Sequence, residues 1–249
     1  LGRLHRIVFF RMTRFWLIAL LLTTVTARGQ QAPRFYAALK GGLSVPIVAF
    51  ASADDQQKAE LAQAGPNGSL SVGFRVVHRI SLGLTLGGWI NPVSNDRALT
   101  KMRDVYPSFN FSRASASSWR VGMALLTPSY LLPLKPGLAL DLRLHGGLIG
   151  AEYPSLSATG SIGGFTFDAT VKSVSATAAA FGGGADLRLH LGGPWHLLAG
   201  GDLLAAIPTF PEGSLTATVG PQAITLPRPS FSQRVNSFNA HVGVAFYVP

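Results

Sequence analysis

Hydrophobic and polar residues alternate along much of this chain with a period of two, the repeat of a strand whose successive side chains point to opposite faces. From Leu138 to Leu148 the even positions read Leu, Leu, Leu, Leu, Gly, Leu, while the odd positions from Ala139 to Ile149 read Ala, Asp, Arg, His, Gly, Ile. Similar splits begin near Phe35, Leu70, Ile80, Trp119, Phe181, Trp195 and Phe238. In the Trp119 segment, Trp119, Val121, Met123 and Leu125 oppose Arg120, Gly122 and Ala124, and the apolar set is expected on the outside. Each segment runs roughly 9 to 12 residues, close to what a tilted strand needs to cross a bilayer.

The gaps alternate in length. They are short around His78 and Arg79, at "PSYLLPLKPG" and at "GGP", and long after the first, third, fifth and seventh segments. Short turns at one end and long loops at the other predict an all-β fold: a closed antiparallel up-and-down transmembrane β-barrel of eight strands, with short periplasmic turns and long extracellular loops. Two loop sequences, "SATGSIGGFTFDATV" and "LTATVGPQAITL", read as hairpins that extend beyond the membrane, and ten or twelve spanning strands stay open.

Composition separates this barrel from a water-soluble sandwich. Only 13% of residues are charged and mean hydropathy is +0.30, against about 25% charged in ordinary soluble domains. The minority face is Gly, Ala, Ser and a few ions, too poor in polar groups to coat an exterior but suited to a narrow interior. The chain has no cysteine, which excludes disulfides, thiolate metal sites and a cysteine nucleophile. After Met12, "TRFWLIALLLTTVTARGQ" has a basic start, a short apolar run and small residues at Val25 and Ala27, the pattern of a cleaved secretory signal peptide. Residues 1–30 are therefore expected to be an upstream segment and signal, and 31–249 the barrel. Setting aside Arg3, Arg6, Arg11, Arg14 and Arg28 from the 21 basic residues leaves 16 against 11 acidic ones, with no block of like charge and no indication of nucleic acid.

The word "DLRLH" occurs at Asp141–His145 and again at Asp186–His190. On antiparallel neighbours it becomes complementary when reversed, placing Asp141 by Arg188 and His190, and Asp186 by Arg143 and His145. Arg75, Arg120, Lys40 and Asp202 share the interior phase and extend the expected ion network. Buried ions need such partners, and an eight-stranded interior is about wide enough for its own side chains to fill. The open alternative is that the ions line a small pore.

His145, His190, His196 and His241 share the polar phase without the convergence that zinc requires, so no metal and no cofactor are expected. A lipid-modifying enzyme would need a nucleophile held by a base. Ser237, His241 and Asp202 can be drawn in those roles, though no compact His-x-Ser spacing supports them, and a non-enzymatic protein is expected. "GGG" at 182–184 lacks the Lys-Ser/Thr sequel of a phosphate loop. Arg97, Lys101, Arg103 and Arg113 make the second outer loop basic, which suits lipopolysaccharide phosphates as well as a solvated surface. Phe35, Tyr36, Tyr130, Trp195, Phe246 and Tyr247 form one expected interfacial belt, and Trp89 and Trp119 the other.

The opening "FYAALKGGLS" and the closing "NAHVGVAFYV" resemble the PorT-like outer-membrane β-barrel domain family, and the architecture is similar to small barrels of the OmpA/OmpX type. The resemblance covers about residues 31–249. It implies an outer-membrane location, contact with outer-membrane lipid and lipopolysaccharide, and a scaffold presenting loops; it carries over no catalytic residue and no protein partner. The ending "HVGVAFYVP" looks like the signal read by the barrel-assembly machinery, apart from its final Val-Pro.

Overall fold

The computed structural model describes residues 35–47 and 61–248; the expected signal segment lies outside them. Chain order is β1 (Phe35–Pro46), β2 (Gly65–Val77), β3 (Ile80–Asn91), α1 (Asn95–Val105), β4 (Asn110–Ala116), β5 (Trp119–Lys135), β6 (Leu138–Tyr153), β7 (Leu156–Ile162) and β8 (Phe165–Val171). There follow β9 (Val174–Gly192), β10 (Trp195–Ala206), β11 (Thr209–Phe210), β12 (Gly213–Val219), β13 (Gln222–Arg228), β14 (Phe231–Ser232) and β15 (Val235–Tyr247). Eight of these close a barrel in the order β1-β15-β10-β9-β6-β5-β3-β2, every pairing antiparallel, so no strand edge is left in the wall. Spanning counts of ten and twelve are thereby excluded.

The outer wall carries Leu39, Leu70, Leu84, Leu126, Leu144, Leu187, Val242 and Phe181, all exposed, with Leu144 and Phe181 each at 67%. One register row of that wall holds no side chains across five neighbouring strands. Gly41 faces Gly68, Gly68 faces Gly88, Gly88 faces Gly122 and Gly122 faces Gly150. Just beyond this row on the long-loop side stand Arg120 and Glu152, 3.9 Å apart.

β5 corrects the expected polarity. Trp119, Val121 and Leu125 face the lumen and are buried, while Arg120, Gly122 and Ala124 face outward. Alternation defines two faces and does not say which is outer. Here volume decides, because the long-loop half of the lumen is filled by apolar bulk. Trp89 and Trp119 accordingly form no outer belt, being 3% and 0% exposed inside that cluster with Ile149, Leu204, Phe210 and Val235. At the short-turn end Phe35, Tyr130, Trp195 and Phe246 are exposed on the wall, whereas Tyr36 and Tyr247 turn inward and stack with centroids 5.4 Å apart.

The long connections build a cap. β13-β12-β8-β7-β4 form a five-stranded sheet, and β11 pairs β14. The two hairpin sequences are thus β7–β8 and β12–β13, outside the barrel wall. The glycines at 163 and 164 have φ of +56° and +85°, which the tight β7–β8 turn requires. α1 starts at Ser94, whose hydroxyl accepts from the Arg97 N–H. It lays Leu99 and Met102 on the buried Phe111, Ala158 and Phe167 of the sheet.

Candidate functional site: the lumen

Below the apolar cluster, every barrel strand supplies a polar side chain to one connected network. Asp186 on β9 is 1% exposed. It accepts from Arg143 Nη1 and, at 2.9 Å, from Arg143 Nη2 of β6, from Lys40 Nζ of β1 at 2.9 Å, and from His241 Nε2 of β15 at 2.7 Å. Asp202 on β10 accepts from Arg143 Nη2 at 2.7 Å and His145 Nε2 at 2.9 Å. The other nitrogen of His145 faces Thr127 of β5 at 3.2 Å, and a hydroxyl chain continues from Thr127 to Thr85 of β3 at 3.1 Å and to Ser71 of β2 at 2.9 Å. Two carboxylates are thus matched by one guanidinium and one ammonium, with two imidazoles as further donors. Such a cluster is tolerable in a poorly hydrated interior because each carboxylate meets more than one donor and each cation at least one carboxylate.

Glycine makes room for it. On the β6–β9 ladder Arg143 faces Gly184 and His145 faces Gly182, so the long side chains of one strand lie over bare backbone of the next. A Cβ at Gly184 would collide with Asp202 Oδ1 and with the carbonyl oxygen of Gly201, and one at Gly200 would collide with Asp186. The two lumen-facing glycines of the "GGG" run, Gly182 and Gly184, therefore make room for His145 and Arg143.

The register alters several expected pairings. Asp141 lies directly opposite Asp186, and Ala139 opposite Arg188. Arg188 instead donates to Tyr247 Oη at 2.6 Å, and His190 lies 3.3 Å from His196. The long β6–β9 connection, with its own hairpin, sets this offset, and nothing in the repeated pentapeptide encodes it. Arg143, His145, Asp186 and Asp202 come together; Arg75, Arg188 and His190 gather nearer the short-turn mouth; Asp141 sits between the two groups. Arg120 is a correction: its side chain is 68% exposed on the outer face beside Glu152. Lys40 and His241 are central, and only their even-odd phase pointed to them.

Ser237 is bonded by Asn239 Nδ2 at 3.2 Å, and the His241 nitrogens face Asp186 Oδ1 and Asn239 O. Ser237 and His241 thus spend these contacts on other groups rather than on each other, with His241 Nδ1 also 3.7 Å from Asp202 Oδ2. Among the described residues no group of three or more His, Cys, Asp or Glu converges as a metal site. In the outer loop Arg97 and Lys101 lie on α1 and Arg113 on β4, while the Arg103 guanidinium donates to the carbonyl oxygen of Phe111 at 3.1 and 2.7 Å and ties the helix to the sheet.

No family model and no curated relative matches the chain. Among solved structures it is similar to Neisserial surface protein A, with 12% identity and a TM-score of 0.46 over 85% of this chain and 96% of that one. A major outer membrane protein from Thermus thermophilus gives 12% and 0.46 over 88% and 100%. Ail, the attachment invasion locus protein of Yersinia pestis, gives 10% and 0.41 over 88% and 100%. The barrel assignment stands on strand register and burial alone.

Proposed function

We propose that this chain is an integral, non-enzymatic barrel of a Gram-negative outer membrane, closed by its own side chains, whose long loops make envelope, adhesion or partner contacts. The observation that carries the reading is the inverted polarity: leucine rows outward, and the buried cluster of Lys40, Arg143, Asp186 and Asp202 inward, in a wall without edges. Such a wall suits hydrocarbon and would aggregate in water. The short turns then face the periplasm and the five-stranded cap faces the exterior. The PorT-like likeness of the first and last strands agrees with export through residues 1–30 and assembly through the C-terminal strand. Arg97, Lys101 and Arg113 on the cap suit the phosphates of lipopolysaccharide.

A lumen filled by the network and the apolar cluster carries no ion current. Purified protein in planar bilayers is expected to give no single-channel steps; steady unitary steps would overturn the closed-lumen reading.

A further inference from the structure

Where the ionic half of the lumen meets the apolar half there is a cavity of about 20 Å³. Met123, Leu125 and Leu204 line it, together with Trp89 of β3, Asp202 of β10 and Asn239 of β15. Two polar atoms on these side chains have no hydrogen-bond partner among the described residues: Trp89 Nε1, on a residue 3% exposed, and Asn239 Oδ1, on a residue 5% exposed. A third is barely engaged. Asp202 gives Oδ1 to Arg143 and His145, while its Oδ2 is approached by His241 Nδ1 at 3.7 Å, beyond hydrogen-bond reach. Thr85, His145 and His241 also line the cavity. Each of them already bonds two other groups: Thr85 bonds Ser71 and Thr127, His145 bonds Thr127 and Asp202, and His241 bonds Asp186 and the carbonyl oxygen of Asn239.

A buried indole N–H or amide oxygen ordinarily finds a partner, because folding takes water away from it. A cavity can hold a water molecule when it offers about 10–15 Å³ and about two to four polar partners. This one exceeds that volume and presents three such groups. The same three groups select the guest. Trp89 Nε1 only donates, so the guest must accept; Asn239 Oδ1 and the Asp202 carboxylate only accept, so it must donate twice. A bare cation cannot accept from the indole, and an anion is repelled by Asp202. A space this small admits no larger polar molecule.

We propose that this cavity binds one water molecule, which accepts from Trp89 Nε1 and donates to Asn239 Oδ1 and Asp202 Oδ2. The water links β3 to β10 and β15, which are not its neighbours in the wall. It also carries the hydrogen-bonded network as far as a tryptophan of the apolar cluster, so the two fillings of the lumen meet through a shared bond rather than a bare contact.

Nuclear magnetic resonance of the full chain in detergent micelles, with the indole nitrogens isotopically labelled, tests the site. Trp89→Phe assigns the Trp89 Hε1 signal by its disappearance. Dipolar transfer from water to that proton is expected, with opposite signs in laboratory-frame and rotating-frame spectra; simple proton exchange gives the same sign in both. Asn239→Leu removes one acceptor, and Leu204→Phe fills the space while leaving all three polar groups in place. Either is expected to abolish the transfer and to move Hε1 upfield as its hydrogen bond is lost. Heat-modifiable migration on gels reports folding. Absence of dipolar transfer in the unaltered chain, or undiminished transfer in either folded variant, overturns the proposal.

Discussion

The two halves of the lumen are filled by opposite means. Toward the long loops, Trp119, Leu125, Ile149, Phe210 and Val235 pack as an ordinary apolar core. Toward the short turns, Lys40, Arg143, Asp186, Asp202, His145 and His241 fill the same cylinder with paired ions. Apolar packing is governed by volume and tolerates a rearranged neighbour. An ion cluster is governed by stoichiometry, and removing one member leaves another buried and unmatched. The halves should therefore fail differently.

The sharpest way to break the comparison is Asp186→Ala, which leaves Lys40, Arg143 and His241 without their shared acceptor. A loss of about 3–5 kcal/mol is expected in urea unfolding from detergent, followed by tryptophan fluorescence. Leu125→Ala in the other half opens a cavity and should cost about 2–4 kcal/mol by the same measurement. If Leu125→Ala proves the more damaging, the apolar half dominates stability and the ionic half is a passenger. Gly184→Ala probes the space between strands: its Cβ would press on Asp202, and about 1–3 kcal/mol should be lost through overpacking. A Gly184→Ala midpoint equal to that of the unaltered chain would mean that Asp202 can move aside and that the cluster is looser than its contacts imply.

Much of this could be seen in the chain itself, because period two is a strong signal and the eight barrel strands fall where alternation is cleanest. The partnership of Arg143 with Asp186 was visible in the repeated pentapeptide. Other features were not. β5 alternates as well as its neighbours, but its apolar set faces inward, since alternation carries no sign. Register across β6 and β9 depends on a long connection, so the direct opposition of Asp141 and Asp186 has no local signature. Strand length misled as well: β5, β6 and β9 run 17, 16 and 19 residues, because their ends leave the apolar zone and continue into turns or toward the cap. The cap sheet was legible only as hairpins, since β4 joins it from a distant stretch of chain.

Lys40 lies on the first strand of the wall and His241 on the last, and both reach for Asp186, three strands around the cylinder from β1. Before the N- and C-terminal strands zip together, that carboxylate lacks one of its three donors, Lys40, because His241 already reaches it across Gly200 within the contiguous β9, β10 and β15. Closing the seam thus adds an ammonium to an acid already held by Arg143 and His241, which ties the first strand to the far wall and gives the last step of assembly a built-in clasp.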